Sequence, residues 1–298
     1  MQELYSTLVS RQDAFSHIED DNWAFVDCRF ALSEPERGFH DYERSHIPGA
    51  VYAHLDHDLS APAVQGKTGR HPLPDPKKLE AVFSAWGIDR GTQVVAYDQV
   101  SGAMAAARLW WLLKWAGHDS VAVLDGGLKH WLESGYPFTA GIEYRSPRKF
   151  VAEYRSEMAC DAKRVESVID DPSCLILDAR GSDRYRGENE TIDPVAGHIP
   201  GAASAPYVDS LTSDGFFLPP DELKAHFDRV AASTRVSQTL DSPTSDRTIF
   251  YCGSGVTAAH SVLALAHSGK GLARLYPGSW SDWITDPARP VVTGESRK

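Results

Sequence analysis

The sequence predicts an α/β protein built from two tandem copies of one domain, each a mostly parallel sheet covered by helices. Three observations carry this. The chain repeats itself, with Asp27 recurring as Asp178 and His46 as His198, at intervals of 151 and 152 residues. Each copy alternates short β-branched or aromatic runs with longer apolar runs of helical period. The composition, 42% hydrophobic and 24% charged over 298 residues with 23 Gly and 18 Pro, is that of a globular chain long enough for two cores.

The repeat is legible element by element. Phe25-Val-Asp-Cys-Arg29 recurs as Ile176-Leu-Asp-Ala-Arg180, and Ser45-His-Ile-Pro-Gly-Ala50 as Gly197-His-Ile-Pro-Gly-Ala202. Val94 to Tyr97 predicts a strand and Met104 to Ala116 a helix; Thr248 to Tyr251 and Val256 to Ala266 predict the same pair in the second copy. Gly126 and Trp131 recur as Gly278 and Trp283. These landmarks divide the chain into domains at 1–140 and 158–298. The linker expected at 141–157 is where Pro147, Arg145, Arg148 and Lys149 interrupt the apolar periodicity. The polar stretch from Ser233 to Arg247 is expected as a mobile surface loop.

Charge and cysteine usage narrow the function. A net charge of -11 without a basic stripe argues against nucleic acid, and an anionic substrate would need a local arginine patch. No apolar run reaches the length of a membrane span, and Met1 to Phe15 lacks the blocks of a secretory signal, so the expectation is a cytoplasmic protein without a membrane partner. Cys28, Cys160, Cys174 and Cys252 form no CxxC or Cys/His ligand pattern. No metal site and no cofactor is expected.

Features present in both copies are explained first by the fold. The two His-Ile-Pro-Gly-Ala turns and the pairs Asp27/Arg29 and Asp178/Arg180 therefore read as structural. At the end of the central strand the copies part: Tyr97 is followed by Asp98, Tyr251 by Cys252-Gly-Ser-Gly-Val-Thr257 and a helical run. A Gly-rich turn between strand and helix points the N-H groups of Gly253, Gly255, Val256 and Thr257 inward as an anion nest, which favours a thiolate nucleophile at Cys252. Without such a context, the other three cysteines read as packed. Cysteine phosphatases need an arginine six residues after the cysteine, where this chain has Ala258, and Ser254 lacks the Gly-x-Ser-x-Gly frame of a hydrolase.

The tandem turns, the Asp98/Cys252 difference and the Cys252 loop together resemble the two-domain rhodanese-type sulfurtransferases, over roughly Val9 to Trp283. Within that family the loop is similar to the 3-mercaptopyruvate branch, since thiosulfate enzymes tend to carry basic residues where this chain has Gly253 and Ser254. The resemblance implies a catalytically silent first domain, a catalytic second domain and an active site between them. It implies sulfur transfer from 3-mercaptopyruvate, through a Cys252 persulfide, to a thiol acceptor such as a thioredoxin-like protein, or to cyanide. Thiosulfate as donor is the alternative, and a non-enzymatic persulfide carrier or binding protein the lesser one. By the same resemblance Ser254, Asp56 and His71 assist Cys252 in handling protons, and Arg184 binds the small anionic donor. Arg186 is the weaker candidate. The animal enzymes carry a second carboxylate-binding arginine further along this loop, but Gly187 to Asp193 contains none, which leaves Arg70 or another residue to substitute.

Overall fold

The computed structural model describes residues 4–234 and 247–295. The chain divides into two compact units, Met1–Ala61 with Leu73–Arg155 and Ser213–Phe217, and Pro62–Pro72 with Ser156–Thr212 and Leu218–Lys298. Most of the expected Ser233 to Arg247 loop, residues 235–246, lies outside the described residues. No helix among the described residues is long and apolar enough to cross a membrane.

The first unit runs β1 (Leu8–Val9), α1 (Arg11–Ser16), β2 (Trp23–Asp27), α2 (Arg37–Arg44), β3 (Val51–Tyr52), α3 (Pro76–Ala85), β4 (Gln93–Tyr97), α4 (Ala106–Trp115), β5 (Val121–Leu124) and α5 (Gly127–Glu133). Its strands pair in the order β1-β5-β4-β2-β3, every pair parallel. Because helices cover both faces, β2, β4 and β5 are buried along their whole length, which is why their sequences read as unbroken apolar runs. Helix starts follow local chemistry: the Ser10 side chain accepts the Asp13 N-H at α1, and Asp75 accepts those of Lys77 and Lys78 at α3, whose first residue is Pro76. The predicted helix from Met104 begins instead at Ala106, because the backbone of Ala105, at φ -148°, lies outside the helical region.

The stretch from 141 to 155 is packed along the first unit. Arg145 donates to the Asp21 carbonyl, Arg148 to Asn22, and the Glu153 N-H to the Ala116 carbonyl.

The second unit contains α6 (Ala162–Glu166), β6 (Leu175–Asp178), α7 (Ser182–Arg186), β7 (Ala203–Ser204), α8 (Pro220–Ala232), β8 (Thr248–Tyr251), α9 (Val256–His267), β9 (Arg274–Leu275) and α10 (Ser279–Trp283). The strand order is β7-β6-β8-β9, again all parallel, and a parallel bridge from Ala159 to Leu275 stands where β1 stands in the first sheet.

One buried polar network is built twice. Arg29 grips both oxygens of Asp27 and donates to the Ser45 carbonyl; Arg180 grips Asp178 and donates to the Gly197 carbonyl. Each arginine thereby ties a strand end to a His-Ile-Pro-Gly-Ala turn. The histidines of those turns are fully buried and donate from Nδ1 to the Tyr42 and Tyr185 carbonyls, 2.7 Å in both copies. The Ile47 and Ile199 N-H groups donate to the Tyr97 and Tyr251 hydroxyls, 3.2 Å each. The repeated residues are thus the fold's own joinery, as their presence in both copies implies.

The loop after β4 shows what replaces a cysteine. Asp98, 1% exposed, accepts the N-H groups of Val100, Gly102 and Met104 at 3.2, 2.9 and 2.9 Å. Burial raises its carboxyl pKa in spite of these donors. Replacing Asp98 by Ala would leave three inward N-H groups without an acceptor, and should cost the first unit about 3 kcal/mol or more in calorimetric unfolding.

A second expectation concerns acid. His118 is buried, donates from Nε2 to the Thr92 carbonyl, and has its pKa lowered from the ordinary 6.5 by burial. The unfolded chain therefore takes up a proton that the folded chain refuses, so this contribution to stability is complete above the unfolded value and is lost as pH falls below it. On acidification from about pH 7.5 to about pH 5.5, His118→Gln should lose less stability than the parent, by on the order of 1 kcal/mol in denaturant titrations.

Candidate active site

The site is assembled at the carboxyl end of β8, where the chain turns into α9. Tyr251 ends the strand fully buried, and Cys252 follows at 3% exposure. The turn closes because Gly255 takes φ +79°, which suits glycine, and because a Cβ there would press into the Pro277 carbonyl. That geometry aims the Gly255 N-H at Cys252 Sγ, 3.2 Å away, at the amino end of a 12-residue helix. The other three thiols have no such setting: burial pushes Cys28 well up, Cys160 up to about 12, and Cys174 up as well.

A second turn holds this loop from below. The Cys252 carbonyl accepts the Trp280 N-H and the Gly253 carbonyl accepts the Ser281 N-H, both at 2.9 Å. The Cys252 N-H is donated to Ser279 Oγ at 3.1 Å, and that hydroxyl donates to the Tyr276 carbonyl at 2.9 Å. Ser279 does this at φ 55°, the one described non-glycine residue with positive φ. A left-handed serine costs roughly 1 to 2 kcal/mol, so its hydroxyl stands where the backbone alone would prefer glycine. The corresponding residue in the first unit is Gly127, at φ 62°. Sequence reasoning passed over Ser279, although comparison of the copies at this position carries the signal.

Ser254 and His71 meet: Ser254 Oγ lies 2.8 Å from His71 Nδ1, both side chains buried. His71 comes from the first half of the sequence but belongs to the second unit, within Pro62–Pro72. That segment is seated by Gly69, where a Cβ would collide with the Gly278 carbonyl, and by the Arg70 N-H donated to Ser281 Oγ at 3.0 Å. Asp56 belongs to the first unit, where its N-H donates to His54 Nδ1 at 3.1 Å.

Two arginines converge on Gly253. A Cβ on that residue would lie 2.7 Å from Arg70 Nη2 and 3.5 Å from Arg184 Nη1. The positive charge that the loop itself lacks therefore arrives from two other segments. Arg70 pairs with Asp193, which also accepts from Arg184 at 3.1 Å, while Arg184 is gripped twice by Glu190 at 2.9 to 3.0 Å. Glu190 and Asp193 were missed in the sequence, where that stretch registers only as lacking arginine. Arg186 instead pairs with Glu188 at 2.8 Å and Glu295 at 3.5 Å. Val256 is buried and Thr257 half-buried at the first turn of α9.

Among the described residues, Glu36, His54 and His57 of the first unit also bring potential metal-ligating atoms together. His54 Nδ1 accepts the Asp56 N-H, so the neutral ring keeps its proton on Nε2, facing Glu36. That tautomer suits an imidazole-carboxylate contact better than coordination.

The arrangement is a buried thiol that accepts the Gly255 N-H, with a buried hydroxyl-imidazole pair on the same loop and two guanidiniums beside Gly253. A rhodanese-like domain profile matches residues 10–134 and again residues 161–286. A probable 3-mercaptopyruvate sulfurtransferase from Pseudomonas aeruginosa is 46% identical over 97% of this chain and 98% of its own length. A putative thiosulfate sulfurtransferase from Mycobacterium tuberculosis is 38% identical over 91% of each chain. Among solved structures, the 3-mercaptopyruvate sulfurtransferase from Leishmania major superposes with a TM-score of 0.80 at 28% identity, over 96% of this chain and 75% of that one. SseA from Escherichia coli, described as a 3-mercaptopyruvate sulfotransferase, gives 0.78 at 29% identity, over 93% and 100%. Both halves of this chain are rhodanese domains, and the chain belongs to the tandem-rhodanese sulfurtransferases.

Proposed function

We propose that the protein moves sulfur from 3-mercaptopyruvate to a thiol acceptor, with Cys252 carrying it as a persulfide. The observation that carries this reading is the Cys252 loop: a sulfur atom receiving the Gly255 N-H, followed by the uncharged Gly253 and Ser254, with Ser254 hydrogen-bonded to buried His71. A neutral loop suits a donor with one negative charge better than the doubly charged thiosulfate.

In the first half-reaction the Cys252 thiolate attacks the donor's sulfur and the donor's carbon-sulfur bond breaks. The bonding pair leaves on carbon as the enolate of pyruvate, which takes the proton from the transferred S-H through Ser254 and His71. Pyruvate departs, and the persulfide anion remains in the N-H cradle. In this reading Asp56 completes the relay, and Arg184 with Arg70 receives the donor's carboxylate. In the second half-reaction a thiolate, from a small thiol or a thioredoxin-like protein, attacks the outer sulfur and frees the Cys252 thiolate; cyanide does the same and leaves as thiocyanate. The four unpaired cysteines fit a reducing compartment, and the reading places the protein in the cytoplasm.

The test is initial-rate sulfur transfer from 3-mercaptopyruvate and from thiosulfate, side by side, with cyanide or a dithiol as acceptor. The expected pattern is ping-pong kinetics and a higher kcat/KM for 3-mercaptopyruvate. Cys252→Ser should lose transfer by on the order of a thousandfold, and His71→Asn should lower kcat by about a hundredfold. Higher kcat/KM for thiosulfate would transfer the assignment to the activity named for the mycobacterial relative, and Cys252-independent turnover would end it.

A further inference from the structure

The arginines that face Gly253 are already occupied by carboxylates of the protein. Asp193, its side chain 3% exposed, lies between them: Oδ1 pairs with Arg70 Nη1, and Oδ2 accepts from Arg184 Nη2 at 3.1 Å. Behind it, Glu190 accepts from Arg184 and, at 3.4 Å, from Arg180, which also grips Asp178. Three guanidiniums, Arg70, Arg180 and Arg184, are thus matched by three carboxylates, Asp178, Glu190 and Asp193, and the cluster's formal charge is zero. This is unusual economy for a place that must attract an anion within a chain of net charge -11.

The two acids that Arg184 touches are not held equally. Burial works against Glu190, but the N-H groups of Asp193 and Ile192, together with Arg184, hold its carboxyl below the ordinary value. Asp193 goes the other way: burial raises its carboxyl even with Arg70 and Arg184 alongside. Glu190 is therefore the fixed anchor of Arg184, and Asp193 the more costly ion. Among the described residues, Arg70 Nε is buried without a hydrogen-bond partner, so the clamp holds a donor group that Asp193 leaves unused.

We propose that Asp193 sets the charge of the donor this site accepts, by balancing Arg70 and Arg184 so that a monoanionic carboxylate is bound and a dianion is disfavoured. The inference rests on the sulfur-transfer reading and adds a residue that selects between its two donors. Asp193 occupies guanidinium N-H groups that a donor carboxylate can share, so the donor is met by directional hydrogen bonds and not by net positive charge, which would favour a dianion over a monoanion. A second negative charge on the ligand meets no unmatched cation.

Asp193→Asn tests this through kcat/KM for 3-mercaptopyruvate and for thiosulfate, with cyanide as acceptor. The ratio of thiosulfate to 3-mercaptopyruvate should rise at least about fivefold, mainly through KM. Asp193→Glu keeps the negative charge against Arg70 and Arg184 and should stay within about twofold of the parent ratio. A ratio unmoved in Asp193→Asn, or moved as far in Asp193→Glu, overturns the inference while parent turnover leaves the sulfurtransferase reading intact. A parent without Cys252-dependent transfer overturns both. The parent protein alone provides a measurement independent of variant folding: sulfate should inhibit about as weakly as methanesulfonate, and sulfate stronger by about tenfold or more would contradict the charge balance.

Discussion

The constraint on which the rest of the structure depends is the turn from the central strand into the following helix, which points backbone N-H groups into a buried space. Such groups must find an acceptor, and the two copies of the domain find different ones. In the first copy the Asp98 carboxylate takes three of them and the loop is closed by its own side chain. In the second, Cys252 Sγ takes the Gly255 N-H, and on the proposed sulfur-transfer reading the acceptor in that frame is also the nucleophile. One inherited geometry thus holds a structural carboxylate in one copy and a thiol in the other. The left-handed Ser279, which receives the Cys252 N-H, shows how much the second copy accepts in backbone strain to hold that thiol.

Positive charge reaches the Cys252 loop from elsewhere in the chain. The loop carries no cation, and the guanidiniums of Arg70 and Arg184 come from two other segments, each braced by acids. Basic residues on the loop itself would place a fixed positive charge against the sulfur. Arginines braced by Asp193 and Glu190 supply directional N-H donors with little net field, which favours geometric recognition of a carboxylate over simple attraction of anions.

Much of this was legible in the sequence because duplication separates the two kinds of residue. Repeated residues, such as the histidines of the His-Ile-Pro-Gly-Ala turns and the Asp/Arg pairs, became buried joints between strand and turn. The strand and helix patterns were readable because both sheets are buried on two faces. The residues that escaped act through tertiary placement. Asp193 and Glu190 looked like a polar loop, and nothing local says that their carboxylates turn inward onto arginines near in one case and distant in sequence in the other. Ser279 escaped because a left-handed serine follows no propensity, and only its alignment with Gly127 betrays it. His71 and Ser254 were paired by family likeness, and 183 residues of separation hide that contact from local reasoning.

The measurement that bears most directly on the account is the mass of the intact protein after brief exposure to 3-mercaptopyruvate without acceptor, followed by peptide mapping of the added atom. The account predicts a gain of one sulfur per chain, located on Cys252 and discharged by cyanide, with Cys28, Cys160 and Cys174 unmodified. Sulfur found on one of those three thiols, or none taken up by Cys252, would contradict it.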